Sequence, residues 1–329
     1  MNVTDKKVKY GILSTAKIAE TQLVPALKDA KNAELYAVAS QSGKEQAAAT
    51  RWGAPFHYDN YRTLLKDPDI DAVYIPLPNS LHQQWAIEAM KNGKHVLLEK
   101  PAALKSDDII AISAAAKEFK VQWMEAFMYQ FHPQHVYVKQ LLKDHKIGEV
   151  KRFRSHFSFL LDLESDNIRL KKSLGGGALM DIGCYSVHAA RDLLQEEPIK
   201  VFSNARKLSN DSVDISSSSI LTFEHVDAVI DCSFAEPPSN TYEIIGTEGS
   251  ISVPHAFRPD ASPDGGKGRV IVKDRSGSVV EDVFFEGNAY QLQVEHFSDC
   301  ILNHKEPIYN GEQSYNNMRI IEALYQSQG

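Results

Sequence analysis

Between residues 8 and 124, five short apolar runs alternate with amphipathic stretches, and this alternation restricts the fold more than any other feature of the chain. Short runs of Val, Ile, Leu, Ala and Tyr without polar alternation are strands buried on both faces. A parallel sheet with helices on each side provides that environment. The pattern predicts strands over residues 8–13, 35–39, 72–75, 95–98 and 121–124, with helices over 44–52, 81–92 and 106–119. In the last helix Ile109, Ile110, Ile112 and Ala116 favour one face, as helical periodicity requires. Ser106 and Asp107 are expected to start it by side-chain capping, and Gly93 to stop the helix before it.

After residue 150 the pattern becomes one of strands joined by turns. Strands are predicted over 150–159, 201–207, 218–223, 226–234, 241–246, 250–253, 269–273 and 279–285. Turns such as Gly246-Thr247-Glu248-Gly249 and Arg275-Ser276-Gly277 join them. Ala228, Ile230, Cys232 and Phe234 alternate with Asp231 and Ser233, so helices should cover one face of an antiparallel sheet. The other face then needs water or a partner subunit. A closing helix is expected over 314–326.

A chain of 329 residues exceeds what one core usually organises, so two domains are expected, 1–126 and 127–329. Net charge of -7 and a pI near 6.0 exclude the basic footprint of a nucleic-acid-binding protein. No apolar run approaches the ~20 residues of a membrane helix. The polar start, Met1 to Lys9, has no signal-like apolar region. Cys184, Cys232 and Cys300 are far apart, lack metal-ligand spacing and fit a reducing compartment. The expected setting is the cytoplasm, with neither nucleic acid nor membrane as a partner.

A first strand that runs into a helix is where dinucleotide pyrophosphates bind. Here the usual three glycines are replaced: Ser14, Ala16 and Ala19 stand in the run Ser14-Thr15-Ala16-Lys17-Ile18-Ala19. Small residues can meet the need for a tight turn and close backbone approach, although an ordinary strand–helix turn would read the same way. At the end of the second strand an acidic residue would bond the ribose 2′-OH. The chain has Ser40-Gln41-Ser42-Gly43-Lys44 instead, which favours NADP(H) over NAD(H).

Three further segments carry a family likeness. Residues 74–82, Tyr-Ile-Pro-Leu-Pro-Asn-Ser-Leu-His, close the third main strand; His95-Val96-Leu97-Leu98-Glu99-Lys100-Pro101 closes the fourth. Gly175-Gly176-Gly177-Ala178-Leu179-Met180-Asp181-Ile182-Gly183-Cys184-Tyr185 opens a helix in the second domain. In this order and spacing the chain resembles the Gfo/Idh/MocA oxidoreductases over almost its whole length. Tyr185 is similar to the branch with glucose–fructose oxidoreductase, dimeric dihydrodiol dehydrogenase and NADP-dependent xylose dehydrogenase. So is the segment from Met124 to Pro133. The resemblance implies an N-terminal Rossmann domain with a doubly wound parallel sheet. It implies a C-terminal α+β domain with a large, mostly antiparallel open sheet for substrate binding and assembly into a homodimer or homotetramer. Two positions depart from the branch: Gln130 stands where Arg is common, and Ile168 where Trp is common.

Ligands of open parallel sheets lie beyond the carboxyl ends of the strands. Pro76, Leu77, Asn79, His82, Glu99 and Lys100 all fall there and are expected at the cofactor, with Ser14, Thr15, Ala16, Lys17, Ile18, Ser40, Gln41, Ser42 and Lys44. The resemblance adds Met128, Ile168, Arg169 and Tyr290. Lys100 is expected to bond the substrate hydroxyl and stabilise alkoxide character as hydride leaves. Tyr185 is expected to relay the hydroxyl proton; a phenol with a pKa of about 10 needs a neighbouring cation for this, and Lys100 is the candidate. Asp181, Tyr185 and His188 are spaced i, i+4 and i+7 and should share one helix face, with Asp181 bonding a substrate hydroxyl or orienting Lys100. His188 is expected to be structural. His132 and His135 lack a third partner, so no metal is expected.

The expected activity is hydride transfer between NADP(H) and a secondary alcohol or ketone of a sugar or cyclic polyol, inositol- or aldose-like. Alternatives are trans-dihydrodiol oxidation and, in another class, a non-catalytic NAD(P)-binding regulator.

Overall fold

The computed structural model describes residues 6–328. Part of the polar start behind the cytoplasmic expectation, residues 1–5, lies outside the described residues. The chain forms two compact units. One runs to Met128 and takes back Asn288–Tyr315; the other comprises Tyr129–Gly287 with the residues from Asn316 on.

The first unit is built on six strands: β1 (Val8–Leu13), β2 (Ala33–Ala39), β3 (Phe56–Tyr58), β4 (Ala72–Ile75), β5 (His95–Leu98) and β6 (Trp123–Glu125). They lie in the order β3-β2-β1-β4-β5-β6 and every pairing is parallel, the doubly wound arrangement expected. The helices are α1 (Val24–Asp29), α2 (Glu45–Trp52), α3 (Tyr61–Leu65), α4 (His82–Lys91), α5 (Ser106–Phe119) and α8 (Ala289–Asn303). β1, β4, β5 and α5 have the predicted bounds. All four residues of β4 are buried, as a strand covered on both faces must be.

Three local expectations are corrected. The cap of α5 is Lys105, which makes no side-chain bond; Ser106 is the first helical residue, and Asp107 and Asp108 supply favourable charge in the first turn. The last strand starts two residues later and ends one later than predicted, and Ala126 N–H continues the ladder to Leu98 O. Between α2 and β4 the chain inserts β3 and α3, both too short and too polar to show in the apolar pattern. Gly93 does stop α4: its φ is +73° and its N–H bonds Met90 O.

The helix after β1 contains a π turn over Ala19–Leu23, where Val24 N–H reaches Ala19 O. Pro25 follows it. Proline has no N–H to give to the carbonyl four residues back and its ring crowds that carbonyl, so the ladder widens one turn earlier.

The second unit holds β7 (Val150–Ser158), β8 (Lys200–Lys207), β9 (Asp214–Thr222), β10 (Asp227–Ser233), β11 (Ser239–Gly246), β12 (Gly249–Val253), β13 (Gly268–Asp274) and β14 (Val279–Phe285). Each overlaps a predicted strand. Their order is β14-β13-β12-β11-β7-β10-β9-β8, antiparallel except for β7 with β10. Helices α6 (Pro133–Lys143) and α7 (Cys184–Leu194) pack on one face of this sheet. There Phe153, Phe157, Ile230, Cys232, Tyr242 and Ile244 are buried. On the opposite face Phe202 and Ile220 are cross-strand neighbours, 56% and 42% exposed. The closing helix α9 spans Gly311–Ser327. The three cysteines are free and buried.

Candidate active site

The carboxyl edge of the parallel sheet brings four predicted segments side by side, because β2, β1, β4 and β5 are neighbours. Ser14 N–H donates to Ala39 O at 2.9 Å, and Ser14 Oγ lies 3.4 Å from Pro76 O. Ser14 takes a φ of +120°, a backbone that glycine would adopt without strain. Its Oγ accepts the Ala16 N–H at 3.2 Å. The side chain that replaces the expected glycine thus holds the turn from inside. Thr15, Ala16 and Ile18 are half-buried and Lys17 is exposed at the start of the helix, where N–H groups have no intrahelical partners.

At the end of β2, Ser40 Oγ and Ser42 Oγ are 2.9 Å apart, and Ser42 N–H donates to Ser40 Oγ. Gln41, Ser42, Gly43 and Lys44 are exposed around this hydroxyl pair. No carboxylate stands among residues 40–44. Small turn residues, helix N–H groups and the hydroxyl pair together fit a dinucleotide.

The segment Glu99-Lys100-Pro101 is held from three directions. Tyr74 Oη, from β4, donates to Glu99 Oε1 at 2.5 Å, and Lys100 N–H donates to Glu99 Oε2 at 3.1 Å. Glu125, at the end of β6 and buried, accepts the Ala102 N–H at 2.8 Å. From α4, His82 places Nδ1 2.8 Å from Pro101 O and Nε2 2.8 Å from Leu77 O. Its ring is fully buried and lowers to a pKa of about 4, burial outweighing the two carbonyls. This corrects the expectation of a direct cofactor contact: both ring nitrogens face the protein, and His82 ties the loop after β4 to the loop after β5. Tyr74 and Glu125 belong to this clamp as well. Nothing in the sequence pattern separates them from ordinary strand residues. Lys100 itself is half-buried, and Leu77 is buried.

Asn79 opens a 3-10 turn over Asn79–Leu81 beside this edge. Tyr290 is buried in the first turn of α8, where Asn288 Oδ1 accepts its N–H at 3.0 Å. Met128 is buried at the start of the Met128–Phe131 turn.

In the second unit, Arg169 Nε and Asp181 Oδ2 form an ion pair at 2.6 Å. Arg169 lies on the turn Ile168–Leu170, whose cap Asn167 accepts its N–H, and its guanidinium sits over the Phe159 ring at 5.8 Å. Ile168, on the same turn, is 48% exposed. Gly176 lets the chain pass close by, since a Cβ there would meet the Arg169 carbonyl. Asp181 lies in a π turn over Leu179–Gly183 that precedes α7. Asp181 in this π turn and Tyr185 and His188 in α7 stand on one continuous helical stretch.

Tyr185 is 6% exposed and packs among Phe157, Phe257 and Tyr129, with ring centroids at 5.4, 5.5 and 5.9 Å. Behind it His188 is buried, its Nδ1 bonded to the Tyr129 hydroxyl, and burial pushes its pKa well down. His135 bonds the Tyr242 hydroxyl at 2.9 Å and Ala256 O at 2.7 Å, while His132 caps α6. These imidazoles are spent on internal bonds. Among the described residues no group of three or more His, Cys, Asp or Glu is placed to hold a metal. No helix of the described residues is long and apolar enough to cross a membrane.

Residues 8–127 match the model of the oxidoreductase family with NAD-binding Rossmann fold, and residues 135–252 that of the GFO/IDH/MocA C-terminal domain. The chain belongs to the Gfo/Idh/MocA oxidoreductase family. The D-xylose 1-dehydrogenase (NADP(+)) 2 of Haloferax volcanii is 35% identical over 320 residues, 97% of this chain and 96% of that enzyme. The trans-1,2-dihydrobenzene-1,2-diol dehydrogenase of Xenopus tropicalis is 30% identical over 298 residues, 89% of each. A 3-ketoreductase from Actinomadura kijaniata, solved with NADP and TDP-benzene, superposes with a TM-score of 0.90 at 28% identity and 98% coverage of both chains. The same reductase has also been solved with one tyrosine changed to phenylalanine, and with one lysine changed to alanine or to glutamate. As a member of this family the chain is an oxidoreductase with an NAD(P)-binding Rossmann domain.

Proposed function

We propose that the protein is an NADP(H)-dependent dehydrogenase or reductase acting on a secondary alcohol or ketone of a sugar or cyclic polyol, aldose- or inositol-like. The clamp on Glu99-Lys100-Pro101 carries this reading. A lysine whose flanking backbone is fixed by Tyr74, His82 and Glu125 is built for a task that a solvated surface lysine does not need. The names of the xylose dehydrogenase and the ketoreductase support the substrate class, and both name NADP.

When bound, the dinucleotide supplies the nicotinamide that exchanges a hydride with the carbinol carbon. Ser14, Thr15, Ala16, Lys17 and Ile18 would hold its pyrophosphate. Ser40, Gln41, Ser42 and Lys44 would hold the ribose with its 2′-phosphate. Pro76, Leu77, Asn79, Glu99, Met128, Ile168, Arg169 and Tyr290 would line its remainder. Lys100 Nζ bonds the reacting oxygen and stabilises negative charge on it. Tyr185 Oη takes the hydroxyl proton in oxidation and returns it in reduction. Asp181 orients the substrate through a hydroxyl, and the ion pair with Arg169 fixes its carboxylate.

A second reading, trans-dihydrodiol oxidation, is favoured by the aromatic wall of Phe157, Phe257 and Tyr129 around Tyr185 and by the amphibian relative. Association of copies into a homodimer or homotetramer through the open sheet face, with Phe202 and Ile220, belongs to the proposal. So does a cytoplasmic setting, read from the sparse cysteines. The first unit, with Asn288–Tyr315 returned to it, holds most of the dinucleotide and the second unit the substrate.

The test is a panel of aldoses, inositols and trans-dihydrodiols with NADP+ and NAD+ side by side. Turnover of a sugar or polyol with NADP+ is expected. Lys100→Met should keep NADPH binding, read by fluorescence quenching, and lose at least about 100-fold in kcat. Undiminished turnover would remove Lys100 from the reaction; binding with no turnover of the panel by the parent protein would favour a non-catalytic regulator.

A further inference from the structure

The helix that carries Asp181 and Tyr185 begins without a cap of its own. Ala178 occupies the cap position and has no side-chain acceptor to offer, yet a helix start leaves several N–H groups without partners. Two residues remote in sequence take that part. Asp214 opens β9, is 1% exposed, and accepts the Leu179 N–H on Oδ2 at 2.7 Å. Its Oδ1 accepts the Tyr325 hydroxyl at 2.8 Å. The Met180 amide lies close enough to the Tyr325 oxygen to favour negative charge on it. A carboxylate from one strand and a phenol from α9 thus stand at the positive end of the helix, where negative charge is favoured.

Gly177 shows how closely this cap is fitted. Its φ is +122°, and a Cβ there would meet both Asp214 Oδ1 and the Tyr325 hydroxyl. Its carbonyl accepts the Asp181 N–H at 2.9 Å. Leu179 is thus bonded to Asp214 directly, and Gly177 lies closely against the Asp214–Tyr325 pair. The turn they hold is the π turn Leu179–Gly183, a conformation that needs support from outside the segment. Burial raises the pKa of both groups, Asp214 above the usual carboxylate value and Tyr325 well above the usual phenol value.

We propose that Asp214 and Tyr325 are positioning residues: together they form a tertiary cap that fixes the π turn and so sets where Asp181 and Tyr185 are held for the reaction. The inference rests on the assignment of Tyr185 above. Neither residue touches the reacting atoms.

The test uses full-length Tyr325→Phe and Asp214→Asn. Tyr325→Phe keeps the ring and removes the hydroxyl that donates to Asp214 beside the Leu179 and Met180 amides. Asp214→Asn keeps the shape and an acceptor for Leu179, and serves where loss of the phenol oxygen prevents folding. Hydrogen exchange at the Leu179 and Met180 amides should quicken about tenfold or more in Tyr325→Phe, with Ala189 and Ala190 in the body of α7 unchanged. In the same variant kcat should fall about tenfold or more, since small displacements of a reacting group are costly. KM for NADP(H) should stay within about twofold, which general loss of folded protein would not produce selectively with kcat per folded molecule. Asp214→Asn should show a smaller loss, about threefold. Unchanged exchange at Leu179 and Met180 would overturn the cap. Faster exchange with kcat within about twofold of the parent would overturn its role in the reaction. Tyr185→Phe separates the two levels: full turnover in that variant overturns the assignment of Tyr185, whereas the exchange result still decides the cap.

Discussion

Replacing His82 by alanine should cost the protein far more than the loss of one polar side chain at a surface. The ring is fully buried and bridges Leu77 O and Pro101 O, each at 2.8 Å. A neutral imidazole donates to one of them, and its removal leaves a desolvated carbonyl worth about 1–3 kcal/mol. The space it vacates adds about 2 kcal/mol, by comparison with other large-to-small changes in cores. The sum is about 4 kcal/mol at pH 7, a large share of the ~5–15 kcal/mol that holds a typical domain together. His82→Gln, which can still donate to one carbonyl, should lose about half as much.

The pH dependence gives a second handle. The folded ring titrates near pH 4, below the ordinary value of 6.5. Above pH 6.5 both states hold it neutral and its contribution is complete. As pH falls below 6.5 the unfolded chain takes up the proton first, so stability declines by about 1.4 kcal/mol per pH unit until the folded ring protonates near pH 4. Urea denaturation at pH 7 and pH 5 reads both quantities. The gap between the parent and His82→Gln should narrow at pH 5, because the variant has no such proton to take up. A destabilisation of His82→Ala below about 1 kcal/mol, or a gap that does not narrow, would refute the reasoning. The loops after β4 and β5 lose their tie in either variant, so KM for the cofactor should rise along with the loss of stability.

Other expectations follow from single contacts. Ser14→Gly should be more stable than Ser14→Ala by about 1–2 kcal/mol in denaturant titration, since both lose the bond to Ala16 but only glycine relieves the φ of +120°; equal stability would contradict the strain. Ser42→Asp should raise KM for NADP+ about tenfold or more and leave NAD+ unaffected or improved, by repulsion of a 2′-phosphate beside the Ser40–Ser42 pair; steady-state kinetics with both cofactors decides it. His156 bonds Asp231, which raises its pKa. It should therefore stabilise the fold below pH 6.5 and lose that contribution as pH rises through its raised value. His156→Gln should lower stability at the acid end only, by no more than about 1 kcal/mol for so exposed a pair in urea titration.

Local chemistry was enough to read much of this chain from its sequence. The run Ala72–Ile75 is a strand because a parallel sheet covered by helices buries consecutive apolar residues on both faces. The alternation at Ala228, Ile230 and Cys232 assigned their face because side chains on a strand point to opposite sides. The Glu99-Lys100-Pro101 and Gly175–Tyr185 segments announced the family for the same reason: each is one contiguous stretch. β3 and α3 escaped notice because an exposed edge strand and a single helical turn have too few apolar residues to set a period.

Tertiary structure decided everything that depends on residues brought together from afar. His82 reads as a strand-end ligand in sequence; its burial between two carbonyls made it a tie between loops. Tyr74, Glu125, Asp214 and Tyr325 carry no motif, and their parts come from partners 23 to 111 residues away in the chain. The return of Asn288–Tyr315 to the first unit is of the same kind. The π turn Leu179–Gly183 is likewise invisible in sequence: its first N–H is capped by Asp214, which is held in turn by Tyr325 from the far end of the chain.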